Sequence, residues 1–195
     1  SIREKGQAAT FFACDITKEE EIARLMDQAE NAYGRIDILV GNAGIPEKKS
    51  PVDEMKLEDL TRVLNTDLIG IILCNKHAIR HMLKNKGSQK GSIVNVASIL
   101  GVVGSANSIA YPAGKAGLIN FTRSQAVTYA AKGIRLNCVS PGYVNTPLLG
   151  KLPPELIRSK VALHPIGRFA EPEEIANAIL FLASDMASYV VGSNL

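Results

Sequence analysis

Ser98, Tyr111 and Lys115 are the residues of this chain whose types and spacing could do chemistry. Tyr111 and Lys115 are four apart, a separation that puts a phenol and an ammonium on the same face of a helix. A nearby cation favours the phenolate, so the pair is expected to lower the tyrosine's pKa from its ordinary value of about 10 toward a range where it exchanges a proton at neutral pH. Ser98 closes the apolar run S-I-V-N-V-A thirteen positions before the tyrosine, and its hydroxyl can hydrogen-bond the same substrate oxygen. A tyrosine and a lysine at this spacing occur in many helices. The serine at a strand end, followed by a loop of small residues, turns the spacing into an oxygen-centred acid/base site.

The elements that must position these residues alternate along the chain. Residues 8–14 form a short apolar run closed by Asp15, which predicts a buried strand. Thr17 and Glu20 read as a capping box for a helix with Ile22, Leu25, Met26 and Ala29 on one face, ended by Gly34. A second strand is expected over 36–40, running into Gly41, Asn42, Ala43 and Gly44, small residues that let a ligand or another backbone come close. A long helical pattern covers 57–86, a third strand covers 92–97, and the helix bearing Tyr111 runs to about Gly133. A fourth strand is expected over 134–139, broken at once by Pro141 and Gly142. The proline-rich segment 143–170 lacks a strong period and reads as a lid over a pocket. Pro172 opens a last helix, and 189–195 looks like the start of a strand.

Strands alternating with helices predict an α/β fold: a doubly wound, Rossmann-like parallel sheet covered on both faces, with ligands outside the carboxyl ends of its strands. Asp15, Asn42 to Gly44, Ser98, and Pro141 with Gly142 all fall at those ends. The chain's 195 residues suffice for a single domain. A net charge of +3 gives no argument for nucleic acid or a membrane surface as partner. No apolar stretch reaches the ~18 residues of a membrane span. Cys14, Cys74 and Cys138 are scattered in apolar runs without metal-ligand spacing, which suggests reduced thiols, no metal and a cytoplasmic setting.

Taken together, the motifs make the chain similar to the short-chain dehydrogenase/reductase family over essentially its whole length. D-I-T follows the first strand and N-A-G the second. A serine stands thirteen before Y-P-A-G-K, and S-P-G-Y-V-N-T-P and R-F-A-E-P-E-E-I-A-N-A-I-L-F-L-A-S-D follow in order. The resemblance implies an NAD(P)-dependent oxidoreductase exchanging a hydride between a nicotinamide cofactor and a carbonyl or secondary alcohol. Tyr111 would be the acid/base and Ser98 would orient the substrate oxygen, while Lys115 would tune the tyrosine and hold the nicotinamide ribose. Asp15 and Ile16 would lie at the adenine, Asn42, Ala43 and Gly44 along the cofactor, and Pro141, Gly142, Val144 and Thr146 against the nicotinamide.

Three departures from the family pattern stand out. The usual catalytic asparagine falls on Asp67, Pro112 directly follows the tyrosine, and the glycine-rich pyrophosphate loop with its flanking strands would precede Ser1. The segment 8–14 is therefore expected to lack ladder partners within the chain, and the sequence reads as part of a longer protein. The residues that decide between NAD and NADP would lie before Ser1 as well, so both cofactors stand. The resemblance implies a small carbonyl or alcohol as substrate, with 3-oxoacyl thioester reduction and sugar or polyol oxidation as the commonest subclasses among similar proteins, and the segment from Pro147 to Arg168 favours neither. A cofactor-binding scaffold with lost catalysis, motivated by Asp67, is the alternative reading, and an epimerase of the wider family is a third. The apolar helices at 57–86 and 109–132 suggest a homo-oligomer.

Overall fold

The computed structural model describes residues 2, 4, 6–147, 149 and 153–195. Among them three strands form a parallel sheet in the order β1 (Ile38–Gly41), β2 (Gly91–Val96), β3 (Ile134–Val139). The register sets Gly41 beside Asn95 and Asn95 beside Cys138, so the carboxyl ends of the three strands are level and their following loops share one edge. The C-terminal residues add a single parallel bridge, Asn194 to Cys138, in keeping with the start of a strand there.

Helices cover both faces of the sheet. On one side α1 (Glu19–Tyr33) and α3 (Ile71–Met82) pack with α4 (Ala110–Tyr129) over Ile93, Ile134 and Leu136. On the other, α6 (Pro172–Ala183) lays Leu182 and Ala183 on Val94 and Val139. Neighbouring strand residues thus point into two separate apolar layers, which is why β2 and β3 read as continuous apolar runs rather than alternating ones.

The helix expected over 57–86 is present but not uniform. α2 (Leu57–Leu64) passes into a π-helical segment, Asn65–Gly70, before α3 resumes. The wider turn changes which side chains face inward, and it buries Asp67 completely. Gly70 follows because Ile16 lies against it: a Cβ there would come within 2.7 Å of the Ile16 carbonyl oxygen.

Three local expectations are corrected. No buried strand forms over 8–14: Phe11 is 87% exposed, and residues 7–15 make no ladder with the described strands, as the expected lack of partners within the chain implies. An extended apolar run becomes a strand only against a neighbour's N–H and C=O groups. Thr17 does not cap α1, whose N-cap is Lys18; the Thr17 N–H and hydroxyl both donate to Asp15 Oδ1, at 3.0 and 2.7 Å, closing an Asx turn before the helix. The segment 143–170 is not without periodic structure, because Pro153 and Pro154 open a two-turn helix, α5 (Pro154–Val161). Residues 148 and 150–152 of that segment lie outside the described ones.

Candidate active site

Ser98 follows β2 in extended backbone conformation and opens a short 3-10 turn, its Oγ accepting the Leu100 N–H at 3.2 Å. The next residue, Ile99, donates its N–H to the Pro141 carbonyl at 2.9 Å, which ties the serine's loop to the proline–glycine turn after β3. Tyr111 sits in the first turn of α4, with Pro112 directly after it at a position where a helix has no partner for the backbone N–H. Lys115, one turn further on, is 3% exposed. Its Nζ donates to the Val96 carbonyl at 3.1 Å, lies 3.5 Å from Asp67 Oδ2, and stands 5.4 Å from the centre of the Tyr111 ring.

Asp67 therefore enters the site from the π-helical turn. Its Oδ1 accepts the Ile45 N–H at 2.8 Å, while Oδ2 is buried with no hydrogen bond of normal length. Gly44 completes this corner: a Cβ there would meet Asp67 Oδ2 at 2.9 Å and Lys115 Nζ at 3.4 Å, so only a glycine lets the N-A-G loop lie against the pair. Burial pushes the Asp67 carboxyl above its ordinary range, opposed by the Ile45 N–H and by Lys115. Burial likewise pushes Lys115 below the usual lysine range, opposed by Asp67. Each member needs the other to stay charged.

The expected lowering of the tyrosine's pKa is corrected here. Tyr111 is pushed above its ordinary value, chiefly by burial, with a hydrogen bond to Ser98 working the other way and the Asp67 and Glu47 carboxylates adding to the rise. Burial disfavours the phenolate, and the Lys115 ammonium is directed at the Val96 carbonyl and Asp67.

The other expected residues fall on the same edge with different surroundings. Asn42, Ala43 and Gly44 leave β1 exposed, the Asn42 N–H turning back to the Val40 carbonyl at 3.1 Å. The Thr17 hydrogen bonds hold the Asp15 carboxyl below its usual range; its side chain is open to solvent beside Lys18. Ile16 packs against the core under α1 and α3. Val144 bridges to Ala170, and the Asn145 N–H donates to the Ala170 carbonyl at 2.7 Å, so the 143–170 segment is joined at its two ends. Thr146 accepts the Leu149 N–H through its carbonyl at 2.9 Å. Within the segment the Tyr143 N–H donates to His164 Nε2 at 3.2 Å, His164 Nδ1 donates to the Lys160 carbonyl at 3.0 Å, and Lys160 Nζ donates to the Tyr143 hydroxyl at 2.7 Å.

Two features had no signal in the sequence. Behind the site the side-chain amides of Asn75 and Asn95 bond each other reciprocally, at 2.9 and 3.1 Å, and Asn95 also donates to Thr122 at 3.0 Å, locking α3, β2 and α4 together. The second is Glu47, in the loop after N-A-G, whose carboxylate accepts the N–H groups of Ile109 and Tyr111 at 2.9 and 3.1 Å. A glutamate in a polar loop carries no mark that it meets a helix more than sixty residues away.

The arrangement offers a phenol, a hydroxyl and an ammonium–carboxylate pair at one edge of a parallel sheet, suited to moving a proton at a substrate oxygen. A family model described as "Enoyl-(Acyl carrier protein) reductase" matches residues 1–195. The chain is 52% identical over 193 residues to cis-4-hydroxycyclohexanecarboxylate dehydrogenase of Sinomonas cyclohexanicum, a match covering 99% of this chain and 76% of that protein. It is 40% identical over 181 residues to the 3-oxoacyl-[acyl-carrier-protein] reductase FabG of Thermotoga maritima, covering 93% of this chain and 72% of that one. The 2,5-dichloro-2,5-cyclohexadiene-1,4-diol dehydrogenase of Sphingobium indicum is 40% identical over 195 residues, covering 96% of this chain and 76% of that protein.

Proposed function

The chain belongs to the short-chain dehydrogenase/reductase family, and from that premise we propose that it is an NAD(P)-dependent dehydrogenase that oxidises a secondary alcohol carried on a small carbocyclic ring. One observation carries the reading: Ser98, Tyr111, Lys115 and Asp67, from one strand end and two helices, meet at the edge where Asn42 to Gly44 lie open. Two relatives named for alcohols on six-membered carbocycles, one of them 52% identical, support the substrate class. So do Ile99 and the exposed Val102 and Val103 on the turn that Ser98 opens, an apolar flank for a ring.

The residues fit a dinucleotide: Gly44 leaves room where a side chain would close the corner, and Lys115 keeps donors beyond the one given to Val96. Asn42, Ala43 and Gly44 would hold the cofactor along the sheet edge, Asp15 and Ile16 its adenine end, and Pro141, Gly142, Val144 and Thr146 its nicotinamide end. When bound, the cofactor supplies the hydride acceptor. Ser98 donates a hydrogen bond to the substrate oxygen and fixes its direction. The Tyr111 phenolate takes the hydroxyl proton as the alcohol carbon becomes a carbonyl, and Lys115 with Asp67 sets the field in which that proton moves.

Reduction of a 3-oxoacyl thioester is a second reading, supported by the FabG relative. We propose that the protein is cytoplasmic and a homo-oligomer, its contact formed by the outer faces of α2, the π-helical turn, α3 and α4, where Ile69 of the turn and Val127 of α4 are exposed. The test is a screen for reduced-nicotinamide formation with NAD and NADP against cyclohexanols, carboxylated cyclohexanols, acyclic alcohols and polyols, with 3-oxoacyl thioesters run in the reductive direction. Turnover highest on ring alcohols is expected. Turnover confined to thioesters would move the protein to the second reading, and bound cofactor without turnover on any substrate would make it a scaffold.

A further inference from the structure

α4 begins at Ala110 without a side-chain cap of its own; Ile109, at the cap position, is apolar. A helix start leaves its first N–H groups without intrahelical acceptors, here those of Ile109, Ala110 and Tyr111 because Pro112 has none, and the residues just before this helix supply no side-chain acceptor. Glu47 supplies one from the loop after Asn42 to Gly44. Its Oε2 takes both the Ile109 and the Tyr111 N–H groups, at 2.9 and 3.1 Å, and its Oε1 accepts from the Ser108 hydroxyl. A negative charge at a helix N-terminus also complements the helix dipole.

The same loop is held from its other end. The Ile45 N–H donates to Asp67, the Pro46 carbonyl accepts from Arg62 at 3.3 Å, the Ser50 N–H donates to the Asn107 carbonyl at 3.0 Å, and Lys49 reaches Ser105 at 3.3 Å. Residues 45–50 thus form a strap from the π-helical turn to the start of α4, with Glu47 as the strand of it that grips the backbone of Tyr111 itself.

We propose that Glu47 is a positioning residue: its carboxylate fixes the Tyr111 backbone against the Asn42–Gly44 loop, and so sets where the phenol stands relative to whatever that loop holds. The proposal rests on Tyr111 as the acid/base and adds the group that places it. The charged and polar groups facing Tyr111 are then Glu47 from the strap, Asp67 from the π-helical turn, Lys115 from α4 itself and Ser98 from the end of β2. Burial acts to raise the Glu47 carboxyl, but hydrogen bonds from Ser108, Tyr111, Ile109 and Ala110 outweigh it and hold the group below its usual range.

Glu47→Gln and Glu47→Ala separate the grip from the charge. In the glutamine variant the amide oxygen can accept the Ile109 and Tyr111 N–H groups while the amide nitrogen turns to Ser108, whose oxygen can accept; the alanine variant keeps neither. Two readouts are paired on the full chain. The first is the ultraviolet difference titration of Tyr111, wild type against Tyr111→Phe, which needs no turnover. The second is kcat and KM on the best alcohol of the screen. Loss of the carboxylate charge moves the Tyr111 titration to lower pH in Glu47→Gln, with kcat within about threefold of wild type. Loss of the grip in Glu47→Ala lowers kcat about tenfold to a hundredfold with KM for the cofactor little changed. A Tyr111 titration unmoved in both variants overturns the proposal, as does a kcat in Glu47→Ala equal to that of Glu47→Gln. Should the wild type turn over neither an alcohol nor a 3-oxoacyl thioester while the titration still moves in the variants, the acid/base reading fails and the Glu47 assignment stands.

Discussion

The Lys115 ammonium and the Asp67 carboxylate face each other at 3.5 Å, out of solvent. Burial pushes the lysine below and the phenol above their usual ranges; the aspartate opposes the first shift and adds to the second. The site therefore carries a phenol that ionises late, and alcohol oxidation, which needs the phenolate, is expected to keep rising into alkaline solution.

Asp67→Asn removes the carboxylate charge. The alkaline rise of kcat for alcohol oxidation moves to lower pH, because one of the charges that raise the phenol is gone. A pH–rate profile of kcat under saturating cofactor reads it, and a rise at the wild-type pH or above would show that the aspartate charge does not reach the phenol.

The pair also bears on stability. Lys115→Met strands a buried carboxylate and is expected to cost about 3–5 kcal/mol, whereas Lys115→Met with Asp67→Asn leaves no orphaned charge and recovers at least about half of that. Urea unfolding of the single and double variants decides it. Equal losses in both would mean the ion pair is not what the buried corner depends on.

Asn95→Leu breaks the reciprocal amide pair behind the site and leaves the Asn75 amide buried without its partner. The expected loss is about 1–3 kcal/mol, read by thermal or urea unfolding. A neutral result would mean that the buried network is replaced by ordered water.

Much of this was legible in the residues. The β2 and β3 runs, the Gly34 and Gly133 helix stops with their positive φ angles, and the convergence of Asn42, Ser98 and Pro141 on one edge all follow from patterns within a few residues of each site. The composition of 8–14 predicts a buried strand, while the strand order of the family predicts no ladder partner for it within the chain; the second expectation holds, because a strand is a property of two segments. The Tyr111–Lys115 spacing placed both groups correctly, but the direction of the tyrosine's pKa depended on burial and on Asp67, which arrives from a helix more than forty residues earlier. Glu47 and the Asn75–Asn95 pair stayed hidden for the same reason: each is a long-range contact between polar residues that are ordinary in their local setting.

His164 links α5 to the turn after β3 by accepting the Tyr143 N–H. His164→Ala is expected to speed hydrogen exchange at the Tyr143 amide by about tenfold or more and to raise KM for the alcohol more than it lowers kcat. Unchanged exchange at Tyr143 would show that the Val144–Ala170 bridge alone holds the segment.

The central claim, that the Tyr111 hydroxyl moves the proton, is tested most directly by Tyr111→Phe assayed for hydride transfer on the best alcohol of the screen, alongside cofactor binding followed by fluorescence. The account predicts cofactor affinity within about threefold of wild type and a kcat reduced by at least about a hundredfold. A phenylalanine variant that transfers hydride at the wild-type rate would contradict it.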